Sequence, residues 1–376
     1  MLTRATRILI TGGGIAGLSA AIALRRRGYA PELAEKCPHW PAAGAGIALH
    51  ANAVRALRAL GLGEAISSAA APLPRWGFYD QGGTRLCVTD LQDLWGEAGP
   101  CLGIARPRLQ EILVTAAGDV PHRLGVAVTG LMQHHGGVSV AFADGSAAEY
   151  DLIVGADGIH STVRGLAVSP AAPKYEGTMS WRSIVPGRPA GVDHLMIFTG
   201  DKRYFGLAPV GDGHTYGFAG LDGNPFDDPP AGRLERLRQL FAGFSAPVSS
   251  YLAAQACDEQ IHFGPIESID LDRWHAGRVV LIGDAAHASP PHMGEGGAMA
   301  IEDAIVLAEL LHAANTVEDA VERFQARRKP RAEYVQQQSR LAARAWAAPT
   351  ALRDATLRQR GDQILRDRYR PLIATP

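Results

Sequence analysis

The chain has 376 residues, of which 47% are hydrophobic and 20% charged, and its formal net charge is −1. That balance builds one large or two ordinary domains with a substantial core, and it supplies no basic field for nucleic acid or an anionic membrane. The four cysteines, Cys37, Cys87, Cys101 and Cys257, form no CxxC pair, which argues for free thiols and against a disulfide framework or a zinc site.

Arg7 to Thr11 reads as a buried strand, followed at once by Gly12-Gly13-Gly14-Ile15-Ala16-Gly17. A helical run, Leu18 to Arg27, closes on Gly28, and a second strand near Tyr29 to Ala34 ends on Glu35. Strand, glycine turn, helix, strand and acid at this spacing form a dinucleotide-binding unit. Gly12 allows the tight turn, Gly14 lets a pyrophosphate approach the backbone, and Gly17 lets the helix pack close to the sheet. The helix N-terminus offers free N–H groups to phosphate. Glu35 is placed to accept bonds from ribose hydroxyls and to repel a 2′-phosphate. Met1-Leu2-Thr3-Arg4 leads directly into the first strand, and no apolar run approaches the ~20 residues of a membrane span, so the cytoplasm is the expected compartment.

Ala51 to Leu62 has helical spacing, and Arg75 to Thr89 reads as a hairpin turning at Gln81-Gly82-Gly83. A helix follows from Arg108 to Ala117. Val138 to Phe142, the Asp144-Gly145 turn and Tyr150 to Val154 read as a second hairpin-like unit. It feeds Asp151 to Arg164, a strand opening onto Asp157-Gly158. From Lys174 to about Gly264 the chain alternates in short aromatic strands broken by Gly and Pro, with a helix from Leu234 to Phe244, which predicts an antiparallel sheet. The first lobe resumes with the strand Val279 to Ile282, then Gly283-Asp284, then Pro291, Gly294, Gly296 and Gly297 opening a helix to Ala313. The remainder from Thr316 is helical.

These three glycine–acid motifs, in this order, resemble the group A flavoprotein monooxygenases, the family of para-hydroxybenzoate and salicylate hydroxylases. The resemblance runs from about Arg7 to the helix after Glu302. It implies an α/β fold: a Rossmann-like FAD-binding domain with an inserted antiparallel-sheet substrate domain and C-terminal helices. The expected boundaries are 1–73, 101–170 and 265–376 for the discontinuous FAD domain, and 74–100 with 171–264 for the substrate domain. The implied FAD contacts are Gly12, Gly14, Ile15, Ala16, Gly17, Glu35, Lys36, Gly46, Arg106, Val128, Asp157, Gly158, Gly283, Asp284, Pro291, Gly294, Gly296, Gly297 and Ala298. The residues themselves leave alternatives open: Asp284 as a helix cap, Asp157 as a loop tie, and His287 as a structural histidine bonded to backbone. The sequence departs from the family at Glu295, where a Gln is usual, and at Ala298, where an Asn is usual. Glu295 is expected to face solvent.

The resemblance further implies hydroxylation of a small aromatic or heteroaromatic substrate with NADH or NADPH and O2, through a flavin C4a-hydroperoxide, in a monomer or homodimer. In the sheet lobe, Lys202-Arg203, Leu207-x-Pro209-Val210 and Tyr216 are similar to flavin-dependent urate hydroxylases. The candidate catalytic residues are therefore Arg203, Tyr216 and His214, and the candidate substrate contacts His50, Trp181 and Tyr204. Period-two geometry puts His214, Tyr216 and Phe218 on one face. The rival readings are a flavin-dependent epoxidase or halogenase, and a non-catalytic binder on the same scaffold. The halogenase pattern is half echoed in Trp181 to Pro186, and no Lys stands between Lys36 and Lys174.

Overall fold

The computed structural model describes residues 6–40 and 44–376; residues 1–5 and 41–43 lie outside it. The fold is α/β, and the carboxyl edge of one main sheet meets a face of the other across a cleft. The first sheet has six strands, in the order His275–Ala276, Val279–Leu281, Leu152–Gly155, Ile8–Thr11, Glu32–Glu35 and His122–Leu124. All of its neighbours are parallel except His275–Ala276 against Val279–Leu281. Its central strands are buried along their whole length. Helices on both faces give parallel strands this continuous apolar character. Helices Ile15–Arg26 and Gly296–Ala313 pack against each other over it. The carboxyl ends of its strands, where open α/β sheets bind ligands, point into the cleft.

The second sheet has seven strands, in the order His262–Ser268, Lys174–Val185, Thr215–Asp222, Arg203–Pro209, Leu195–Thr199, Arg75–Asp80 and Arg85–Asp90. It is antiparallel except where Leu195–Thr199 runs parallel to Arg75–Asp80. The early hairpin thus extends a sheet whose other strands begin almost a hundred residues later. Period-two alternation splits this sheet into two faces with different fates. Trp181, Phe205 and Leu207 pack with Phe241, the C-cap of helix Arg233–Leu240, and Tyr251 of helix Ala246–Ala254. The opposite face looks into the cleft.

The expected hairpin from Val138 to Val154 is divided. Gly137–Phe142 pairs with Ala147–Tyr150 and Val128–His134 in a small sheet, whereas Leu152–Gly155 joins the parallel sheet beside Ile8–Thr11. The chain switches sheets at Asp151, whose carboxylate accepts the Arg7 N–H at 2.7 Å and whose own N–H donates to the Arg7 carbonyl at 2.8 Å.

A buried ionic network joins helix Gly296–Ala313 to the 30-residue helix Val317–Trp346. Arg328, fully buried, donates to Asp303 and Glu302 at 2.8 Å each, and Arg331 adds a bond of 2.8 Å to Glu302. Asp303 also accepts from the Gly283 N–H at 2.9 Å and pairs with His287 at 2.6 Å. Burial pushes the Asp303 carboxyl up, but His287 and Arg328 outweigh it and hold the group below its usual range. The last helix, Thr350–Ile373, lies against the strand Arg85–Asp90. No helix of the described residues is long and apolar enough to cross a membrane.

Candidate active site

The glycine turn has the shape its sequence predicts. Gly12 has φ +101°, and a Cβ there would meet the Ala156 carbonyl oxygen at 2.4 Å; a Cβ on Gly17 would meet the Gly12 oxygen at 1.8 Å. A Cβ on Gly14 would meet nothing within 4 Å, so Gly14 opens onto free space at the N-cap of helix Ile15–Arg26, where phosphate binding is favoured. Glu35 is buried, and its two carboxylate oxygens accept the Gly13 N–H at 2.6 Å and the Cys37 N–H at 2.8 Å. The acid is therefore fixed beside the turn. Lys36 next to it is exposed.

Gly14, Ile15 and Ala16 form one end of a cavity of about 490 Å³. Gly46, Arg106, Gly158, Asp284, Pro291, Gly294, Gly296 and Gly297 line its middle. Asp284 follows the strand Val279–Leu281 and is exposed to this cavity. Gly283, with φ +59°, is the helix N-cap there, so the capping alternative for Asp284 does not hold. Gly283 is in turn held by Asp303, so the buried network positions Asp284. An open helix N-terminus at Gly14, the glycines of the Gly294–Gly297 loop and an unpartnered acid line one cavity, a set of groups that could hold a dinucleotide.

Several expected contacts are placed elsewhere. Asp157 accepts Ser161 Oγ and the N–H groups of Thr162 and Val163, so it ties the loop. The buried Arg164 secures that loop to the carbonyls of Ile159 and Ala285. Val128 begins an outer strand, is buried opposite Phe142 and does not line the cavity. Ala298 is buried inside helix Gly296–Ala313. His287 is structural, but its partner is the Asp303 carboxylate and not backbone.

The seven-stranded sheet supplies the far wall through Ser180, Arg182, Leu195, Ile197, Tyr204, Ala208, Tyr216 and Phe218. Tyr204 and Tyr216 are where the sequence predicts. Two other expectations fail through strand alternation, and a third because its residue lies off the strand. Arg203 precedes Tyr204 and so faces outward, where its Nη1 donates to the Leu240 carbonyl at 2.7 Å. Trp181 precedes Arg182 and lies in the outer core, its indole N–H donating to Asp228 at 2.7 Å. His214 lies in the turn before Thr215–Asp222, and its Nδ1 meets the Asp212 carbonyl at 2.9 Å.

The cation on the sheet wall of the pocket is Arg182, which sequence reading missed; Arg106 lines the cavity from the cofactor side. Arg182 lines the cavity and makes no hydrogen bond or ion pair among the described residues. An Arg at the centre of the apolar run Met179–Val185 was the available signal. Burial pushes the Tyr204 and Tyr216 hydroxyls up, against the opposing pull of Arg182, so both stay protonated donors. His292 also lines the cavity, and burial first, then the Arg368 charge, lowers it to about 4, so its ring is neutral. Trp346 closes this end edge-on to Tyr204 and His292, with centroids 4.9 Å away in each case. Leu195, Ile197 and Phe218 make the rest of the wall apolar.

His50 lines the cavity as expected, but Glu295 does not face solvent. It is 1% exposed, with Oε1 2.9 Å from His50 Nδ1 and Oε2 accepting from Asn52 at 2.7 Å.

Residues 5–339 match the family model described as an FAD binding domain. The chain is 36% identical over 329 residues to the aurachin C monooxygenase/isomerase of Stigmatella aurantiaca, covering 86% of this chain and 85% of that protein. It is 32% identical over 344 residues to an FAD-dependent urate hydroxylase of Klebsiella pneumoniae, with the same coverages of 86% and 85%. Among solved structures, Klebsiella pneumoniae HpxO complexed with FAD and uric acid superposes with a TM-score of 0.92 at 27% identity, over 99% of this chain and 97% of that one. A salicylate hydroxylase substrate complex gives a TM-score of 0.78 at 25% identity, over 99% and 98%. Trp346 lies beyond the residues that match the family model. With its glycine turn, its Gly283-Asp284 wall and these relatives, the chain belongs to the FAD-binding-domain family, among the group A flavoprotein monooxygenases, FAD-dependent enzymes acting on aromatic compounds.

Proposed function

We propose that the chain hydroxylates a planar heteroaromatic or phenolic substrate that carries an acidic ring oxygen or nitrogen, with NADH or NADPH as reductant and O2 as co-substrate. The observation that carries this reading is Arg182, an unpaired guanidinium on a wall that apart from Ser180 is aromatic and aliphatic. A charge left unpaired in a largely apolar cavity is costly unless a ligand neutralises it. The names of similar proteins support the class: aurachin C, urate, 3-amino-4-hydroxybenzoate and 2-heptyl-3-hydroxy-4(1H)-quinolone appear in them.

Glu35, Gly14, Asp284 and the Gly294–Gly297 loop hold FAD; Arg106 borders it. When bound, FAD supplies the acceptance of hydride and the activation of O2. The chain's own residues bind, orient and exclude water. Arg182 takes the substrate's ring anion, and Tyr204 and Tyr216 donate hydrogen bonds to its polar edge. Ile197, Phe218 and Trp346 pack on its faces and keep solvent away.

The test is a panel of phenols, purines, pyridines and 4-hydroxyquinolines given to the FAD-loaded enzyme. At least one should accelerate NAD(P)H oxidation and return a product heavier by one oxygen atom. Vigorous oxidation with stoichiometric peroxide, unaffected by every compound, would make the chain a simple oxidase.

A further inference from the structure

His292 reaches the cavity from a different element than Arg182 does. It lies in the turn Pro291–Met293, just before Gly294, whereas Arg182 is on the strand Lys174–Val185. The turn is pinned. The Tyr369 hydroxyl donates to the Met293 carbonyl at 2.6 Å, and the Gly294 N–H donates to the Pro291 carbonyl at 2.9 Å. The imidazole is packed edge-on by Trp346, at 4.9 Å, and by Tyr204, at 5.8 Å. Its position is therefore fixed beside the sheet wall, and it has no part in the mechanism above.

The two ring nitrogens differ. Nδ1 is sealed from solvent and has no partner among the described residues; Nε2 has none either but is not sealed. The residue is 5% exposed and lines the cavity, so its accessible nitrogen opens there. Burial and then the Arg368 charge keep the ring neutral, with one proton to place. On Nδ1 that proton would make an orphaned buried N–H, which folded proteins rarely hold. On Nε2 it meets whatever occupies the cavity. His292 thus presents a neutral N–H donor to the cavity.

The neighbouring polar groups are donors as well: the Arg182 guanidinium and the protonated hydroxyls of Tyr204 and Tyr216. The carboxylate that the sheet side contributes, Glu267, sits opposite Tyr175, far back along the Arg182 strand, and pairs with His160 at 3.6 Å. Acceptors must therefore come from the ligand. The strand Thr215–Asp222 lies between that of Arg182 and that of Tyr204, on which His292 packs. Those two strands are roughly 9–10 Å apart at the usual spacing. Arg182 and His292 thus approach a planar ring from different edges.

We propose that His292 is a substrate-contacting residue whose Nε2–H donates to a second acceptor on the ring, a carbonyl or phenolic oxygen set apart from the anion that Arg182 takes. The favoured substrates are then rings with an acceptor at each of two edges, not rings with a single acidic group. This rests on the aromatic-substrate reading above and narrows it.

The test uses the holoenzyme and two matched pairs of compounds: 4-hydroxyacetophenone against 4-ethylphenol, and 6-hydroxy-1-tetralone against 5,6,7,8-tetrahydro-2-naphthol. Each pair differs in one carbonyl. In nitrogen-15 NMR of histidine-labelled protein, the His292 resonances, identified by their loss in His292→Gln, should show the proton on Nε2 before any compound is added. They should move when the carbonyl compounds are titrated in. By flavin absorbance, His292→Leu should bind the carbonyl compounds about fivefold more weakly, the worth of one neutral hydrogen bond, and their partners as the wild type does. His292→Gln, whose amide also donates, should recover most of that loss. A proton on Nδ1 overturns the proposal. So do His292 resonances that no compound moves, or that move only when FAD is loaded onto the apoprotein, and so does an equal loss for both members of a pair in His292→Leu. Compounds that bind, move the resonances and are never hydroxylated leave His292 in its place and sink the hydroxylase reading alone.

Discussion

The two walls of the cleft treat charge in opposite ways. Behind the cofactor wall, Arg328, Arg331, Asp303, Glu302 and His287 are buried and mutually satisfied. On the sheet wall, Arg182 is charged, lines the same cavity and has no protein partner. A satisfied buried ion positions backbone: Asp303 grips Gly283 and thereby sets Asp284. An unsatisfied one waits for a ligand. Removing a charge from the buried network should cost stability, and removing one that faces the cavity should cost binding. The experiments below are ordered by how hard they strain that distinction.

Arg328→Ala should have the largest effect. It leaves Asp303 and Glu302 as uncompensated buried carboxylates, at a cost of about 3–5 kcal/mol. The thermal midpoint of the holoprotein should fall sharply, and the surviving protein should lose FAD more readily because Gly283 is no longer held. An unchanged midpoint would show that the network does not carry the cofactor wall.

His292 sharpens the comparison through pH. Its ordinary value of 6.5 is lowered to about 4 by burial and then by Arg368. The unfolded chain therefore takes up this proton near pH 6.5 and the folded chain only near pH 4. Stability should fall as pH drops through that window and level off below it, by at most about 3 kcal/mol for this group. His292→Gln should flatten the slope in urea titrations between those limits. An identical slope would mean the ring is not buried neutral.

Asp284→Ala tests the link between the walls' partner groups and the cofactor. Loss of a hydrogen bond from an ionised group, about 1.5–3 kcal/mol, should weaken FAD binding roughly 10- to 100-fold while leaving the fold intact. Full flavin content after gel filtration would remove Asp284 from the site.

How much was legible in the sequence follows the same division. The dinucleotide unit is local: Gly12, Gly14, Gly17 and Glu35 fall within one strand–helix–strand stretch, so spacing alone conveys their geometry. Tyr204 and Tyr216 were legible as aromatic residues on alternating strands. Their neighbours were not, because a strand's pattern shows two faces without saying which meets the cavity. The face carrying Arg203 and Trp181 is turned outward by helices Arg233–Leu240 and Ala246–Ala254, which cover it with their own apolar side. Arg182, one residue on, is what remains inside. Glu295 was misplaced because polarity suggests solvent, and its partner His50 lies 245 residues away. Arg328 and Trp346 likewise act across helices with no local signature.

The central claim, that the cavity face and not the outer face carries the substrate's charge partner, is tested most directly by titrating Arg182→Gln and Arg203→Gln holoenzymes with the most stimulating compound of the panel, following the flavin absorbance. Arg182→Gln should keep its FAD and its stability but raise the dissociation constant roughly 10- to 100-fold, the loss of about 1.5–3 kcal/mol for a bond to a charged group. Arg203→Gln, which loses only its bond to the Leu240 carbonyl, should bind as the wild type does and lose about 1 kcal/mol of stability. Unchanged binding in Arg182→Gln, or an equal loss in Arg203→Gln, would contradict the account.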